Sequence, residues 1–246
     1  MVTNKEKREL RAERAAAALR EKQRRERRRQ ILTATAVVVA IALVVGAGFL
    51  INSMRDDTEE KASKVPATGS QYGLTLGPDS APHEVVIYED FLCPVCGVFE
   101  ATGHEQLEQL ADEGKVRVEY RPFVLLNRFG PYSTRSTWIW SLVLQQDGPD
   151  VALKFHDLLF ANQPSEEGPF PSQDDLVALA GQAGADTEEL QSSIDAGAGV
   201  EWPVNASESA EALGINSTPT VILDGAPFSN GATPADVATN LVKALQ

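Results

Sequence analysis

The sequence predicts an α/β domain with an inserted helical block, preceded by a single transmembrane helix. Three observations carry this. Ile31 to Ile51 hold no charged residue across 21 positions. A strand, a helix and a second strand follow one another within the 40 residues from Glu84 to Phe123. The pattern then turns helical over about 128–214 before β-branched residues return at Thr220-Val221-Ile222.

The uncharged run comes first in the chain. As a helix its 21 residues reach about 31 Å, against a hydrocarbon core of about 30 Å. A cleaved signal peptide is the alternative, but signal cores are shorter, and no clear cleavage site follows Ala47-Gly48-Phe49. Residues 1–30 carry 12 Lys/Arg and 5 Asp/Glu, whereas Arg55, Lys61 and Lys64 are the basic residues of the 20 positions after the run. The positive-inside rule therefore places 1–30 in the cytoplasm and the rest of the chain outside it, in the cell membrane as a single-pass protein. The basic tail is explained by topology and anionic lipid, so no nucleic-acid partner is expected. Residues 52–70 read as a polar linker. The folded domain is 71–246, in a compartment where a cysteine pair can cycle as a disulfide.

Within that domain, Tyr72 to Leu76 is a possible short strand. Glu84 to Asp90 is β-branched and aromatic and reads as a buried strand. A helix follows, with Val95, Phe99, Leu107 and Leu110 on its apolar face and Gly114 at its end. Val116 to Phe123 alternates as a strand, and strand–helix–strand favours a parallel βαβ unit. Helices are expected over Thr137–Leu144, with Trp138 and Trp140 in mixed core and surface packing, and over Val151–Phe160. Ser172 caps a further helix that ends near Gly184. Shorter helices are expected over Glu188–Ile194 and Ser207–Leu213. Thr220–Leu223 returns to strand, Asp224-Gly225 signals a hairpin turn, and Thr233-Pro234-Ala235-Asp236 opens a last helix with Val237, Leu241 and Leu245 inward.

The chain has two cysteines, Cys93 and Cys96, two residues apart. They are a redox couple, half a metal site or a static disulfide. A static bridge would close too small a loop to stabilise much. His83, His104 and His156 are scattered without ligand spacing, so no metal is expected, and His104 reads as a solvated or satisfied residue. The redox reading has a physical basis. A free thiol with a pKa of about 8.5 is only about 3% ionised at pH 7. Cys93 sits where a strand ends and a helix begins, so unpaired helix N–H groups stabilise its thiolate. Pro94 fills the first helical position, which needs no donor. Cys96, one turn on, should be more buried and act as the resolving thiol.

The segment Glu89-Asp90-Phe91-Leu92-Cys93-Pro94-Val95-Cys96, together with Ser217-Thr218-Pro219-Thr220 before the late strand, resembles the DsbA-like thiol-disulfide oxidoreductases. The resemblance covers about 71–246. It implies a thioredoxin fold with the helical insertion at about 128–214, Cys93 as nucleophile, Cys96 as resolver, and Pro219 as a cis-proline facing the pair, with Thr218 its substrate-contacting neighbour. It implies exported protein thiols as substrates, a quinone-linked membrane partner as reoxidant, and no organic cofactor. Many relatives carry a buried acid six residues before the first cysteine. Here that position is Ile87, and Glu89, on the same strand face, is the candidate proton relay in its place. Thr218 is shared with reductases and isomerases of the wider fold, so an oxidase, a reductase or isomerase, and a redox-sensing domain all stand as readings.

Overall fold

The computed structural model describes residues 71–246. The predicted tail 1–30, membrane span 31–51 and linker 52–70 lie outside the described residues. No helix among the described residues is long and apolar enough to cross a membrane.

Five strands form one sheet: β1 (Leu74–Leu76), β2 (His83–Glu89), β3 (Val116–Pro122), β4 (Thr220–Leu223) and β5 (Ala226–Pro227), in the order β1-β3-β2-β4-β5. β2 and β3 pair in parallel, with Val85 opposite Val118, and α1 (Pro94–Asp112) makes the crossover between them. The other neighbours are antiparallel, with Tyr88 of β2 opposite Thr220 of β4. All seven β3 residues and the last five of β2 are buried, as expected for strands with both faces covered. That arrangement delivers the end of β2, and the cysteine turn after it, to one end of the sheet's centre.

The expected insertion is present. α2 (Tyr132–Gln146), α3 (Pro149–Ala161), α4 (Gln173–Ala183), α5 (Thr187–Asp195) and α6 (Trp202–Ala212) run in sequence between β3 and β4. Two of them are longer than the sequence pattern indicates. α2 begins five residues before Thr137 because its buried Ser133, Ser136, Thr137 and Ser141 hide the apolar stripe. Ser136 and Ser141 hydroxyls donate to carbonyls of their own helix, Tyr132 and Trp138, which satisfies them locally. α6 begins at Trp202 with Pro203 in its first turn, ahead of the expected Ser207. Trp140 is fully buried and donates to Ala152 O, while the partly buried Trp138 donates to Ala198 O, so the pair does divide between core and periphery.

The last helix, α7 (Pro234–Ala244), starts in a capping box between Thr233 and Asp236. It packs on α1 at Gly103, where a Cβ would stand 3.1 Å from the Ala238 Cβ. Phe99, Leu107 and Leu110 of α1 are buried as expected, but Val95 is 44% exposed. It lies in the first turn, beside the cysteines, where no layer covers that face.

Candidate active site

Cys93 is the N-cap of α1 and Pro94 opens the helix. The first helical bond runs from Gly97 N to Cys93 O, 3.1 Å. The amides of Val95 and Cys96 are left without carbonyl partners and turn toward the Cys93 sulfur. The approach to this turn is fixed by Asp90, which is fully buried. Its Oδ1 accepts from Leu92 N at 2.9 Å, and its Oδ2 accepts from Leu125 N and Leu126 N at 2.8 and 2.9 Å. One carboxylate therefore ties the loop after β2 to the loop after β3. From the insertion, Gln163 donates its amide to Phe91 O and Cys93 O at 3.0 and 2.9 Å. Gly97 makes room for it, since a Cβ there would lie 2.7 Å from Gln163 Oε1. Neither Asp90 nor Gln163 was singled out by sequence: Asp90 looks like the end of a strand, and Gln163 is 70 residues from the turn it braces.

The two sulfurs, both free thiols, are unequal. A hydrogen bond from the Cys96 thiol lowers the Cys93 pKa to about 6, against the opposing effect of burial. Thr218 and the Val95 and Cys96 amides add to the lowering. Cys96 has no exposed surface, and burial, its bond to Cys93 and the charge of Glu89 push its thiol well above the usual cysteine value. At neutral pH the pair holds one proton, on Cys96.

Opposite the turn, the loop before β4 brings Thr218 O within 3.4 Å of Cys93 Sγ. The Thr218–Pro219 peptide bond is cis. Thr220 Oγ1 donates to Ser217 O at 2.7 Å, closing the loop. Cys93, Cys96, Thr218 and Pro219, with 125 residues between the positions of Cys93 and Thr218, thus form one constellation.

Glu89 is also fully buried. Its Oε1 lies 2.5 Å from His156 Nε2 on α3. Burial raises the carboxyl to about 7, against the lowering effect of the His156 charge. His156 stacks on His104 of α1, ring centroids 5.4 Å apart. His104 is not a solvated residue: Nδ1 lies 2.8 Å from Glu100 Oε2 and 3.0 Å from the Tyr120 hydroxyl, and Nε2 lies 2.8 Å from Asp157 Oδ1. Burial disfavours its charge, but Asp157 and Glu100 outweigh it and hold the imidazolium pKa at about 11. Of the three histidines scattered in sequence, His104 and His156 meet because α1 and α3 pack side by side, while His83 lies apart, 2.9 Å from Asp224 Oδ2. No local spacing signals a pair 52 residues apart.

A thiolate at a helix start, a buried partner thiol and a facing Thr-cisPro loop on this sheet define a thiol-disulfide oxidoreductase of the thioredoxin fold. Residues 69–243 match the family model described as thioredoxin, and the chain belongs to that family, among its DsbA-like members. It is 26% identical over 189 residues to the probable disulfide bond formation protein D of Bacillus cereus, covering 76% of this chain and 85% of that protein. It superimposes on oxidised DsbA of Mycobacterium tuberculosis with a TM-score of 0.59 and 28% identity, over 70% of this chain and 92% of that one. DsbG of M. tuberculosis, a disulfide bond oxidoreductase in its reduced form, gives a TM-score of 0.61 and 27% identity over 75% and 91%.

Proposed function

We propose that this chain is a membrane-anchored, extracytoplasmic dithiol oxidase that passes a Cys93–Cys96 disulfide to exported protein thiols. The observation that carries the reading is the asymmetry of the pair: Cys93 is held as a thiolate near neutral pH while Cys96 keeps its proton. A stabilised Cys93 thiolate favours the reduced chain, so its disulfide is readily given away. The uncharged run 31–51 and the basic residues before it support the anchor and its orientation.

In the reaction a substrate thiolate attacks Cys93 Sγ, and the Cys93–Cys96 bond breaks. Cys96 leaves as a thiolate in a closed environment and takes a proton, for which Glu89 is the donor. The substrate's second thiolate then attacks its own sulfur in the mixed disulfide, releasing Cys93 as the stabilised thiolate. The substrate loses two electrons and the chain gains them. Thr218 and Pro219 offer backbone to the substrate beside Cys93. A quinone-linked membrane partner, implied by the family, takes the electrons away and restores the disulfide.

Trapping tests this. In a Cys96→Ala chain the mixed disulfide on Cys93 has no internal thiol to resolve it, so exported proteins should be captured and released by reductant. A cell envelope that yields no captured protein would sink the reading. The reduction potential separates the directions of electron flow. A value well above thioredoxin's, about −270 mV, fits the oxidase, and a value near it assigns the chain to reduction.

A further inference from the structure

The cleft between α1 and α3, about 220 Å³ in volume, is lined by Gly97, Glu100, His104, His156, Asp157 and Phe160, with Glu108 one turn beyond His104 on α1. We infer that it holds a divalent cation of the zinc type, ligated by His104 Nε2, Glu108 and Asp157.

The geometry converges on one point. His104 and Glu108 are one turn apart on α1, and Asp157 faces them from α3. Their donor atoms all lie within 4.8 Å of one another. From His104 Nε2, Asp157 Oδ1 is 2.8 Å away and Glu108 Oε1 3.4 Å. The two carboxylates flank one imidazole nitrogen, and an ion shared among the three would stand where its proton does.

The surroundings are those of a metal-bound histidine. Glu100 Oε2 lies 2.8 Å from His104 Nδ1. An ionised carboxylate only accepts, so Nδ1 keeps its proton toward Glu100 when Nε2 gives up its own to a cation. A carboxylate behind the second ring nitrogen is the usual orienting partner of a zinc-bound histidine. Glu100, 5% exposed, carries a second oxygen, Oε1, with no hydrogen-bond partner. Glu100, His104 and His156 also bring donor atoms within 4.8 Å of one another. The charges agree: Glu89, Glu100, Glu108 and Asp157 gather around two imidazoles, and their ion pairs run to those histidines. A dication removes the excess of negative charge, and one nitrogen, two carboxylate oxygens and a water from the cleft complete a four-coordinate zinc. Binding displaces any proton on Nε2 to solvent.

The test uses the full chain in mild detergent with Cys93 and Cys96 oxidised, so that no thiolate competes. Titration with Co²⁺ should give one ion per chain, with d–d bands and no thiolate charge-transfer band, and Zn²⁺ should displace it. Glu108→Gln, on the partly exposed rim, should fold normally and weaken binding by about tenfold or more. Asp157→Asn should do the same, and Glu100→Gln, acting behind the ligand, should cost about 10–100-fold. No uptake by the oxidised chain, uptake only after reduction of the disulfide, or an affinity unchanged by both Glu108→Gln and Asp157→Asn would each overturn the inference.

Discussion

Glu89 and His156 stand 67 residues apart in the chain and 2.5 Å apart in space, an acid and a base closed off together beneath the cysteine turn. The carboxyl is raised to about 7 because burial disfavours its charge more than the imidazolium favours it. Its charge in turn pushes the Cys96 thiol up. The acid therefore titrates near neutrality within electrostatic reach of the sulfur that must gain or lose a proton.

Glu89→Gln should slow disulfide exchange at neutral pH, by on the order of 10²-fold if Glu89 supplies the proton. The wild-type rate should show a titration near 7 that the variant lacks. Stopped-flow measurement of exchange across the pH range checks both, and an unchanged pH profile would remove Glu89 from the reaction.

The Cys93 thiolate should be visible in ultraviolet titration of the reduced chain, with a midpoint near 6. The Cys96 thiol is its largest stabilising contact, so Cys96→Ala should move that midpoint upward. The sign of the linked stability follows from a folded value below the unfolded one. The contribution is present in full above the unfolded thiol value, 9, and is lost as pH falls through about 6. Reduced chain should gain thermal stability relative to oxidised chain as pH rises across that window, measured by calorimetry on both forms.

Asp90→Ala leaves three backbone N–H groups without their acceptor, two of them in the loop after β3. Unsatisfied buried donors are costly, and a loss of about 3 kcal/mol is expected in denaturant unfolding. The same variant should raise the Cys93 midpoint, because the turn that aims the Val95 and Cys96 amides loses its anchor.

Gln163→Ala should cost about 1 kcal/mol through the carbonyls of Phe91 and Cys93. Gly97→Ala forces its new Cβ against the Gln163 amide. The two substitutions should not add. A double-mutant cycle is expected to show coupling of about 0.5–1 kcal/mol, with Gly97→Ala milder once Gln163 is gone.

Local chemistry made much of this fold legible. Cys93-Pro94 marks a strand-to-helix junction because proline belongs at a first helical turn, and Thr233 with Asp236 marks a capping box by spacing alone. β2 was readable because Val85 to Tyr88 form a β-branched and aromatic run, and β3 because its residues alternate, although its Arg117, Glu119 and Arg121 are buried as well. α2 was under-read because its buried serines and threonine mimic a polar surface, Ser136 and Ser141 being satisfied by carbonyls of their own helix. Val95 was placed inward by periodicity, but periodicity does not say where the covering layer stops. The pairing of His104 with His156 and the brace from Gln163 were not legible, since each depends on how the insertion docks against α1.

The Asp90 carboxylate and the Gln163 amide clasp the cysteine turn from two sides, so Cys93 is held in register with the sheet. In the proposed reaction the substrate thiol is then the partner that moves, so the site should favour loose, unfinished chains over proteins whose cysteines are already locked in place.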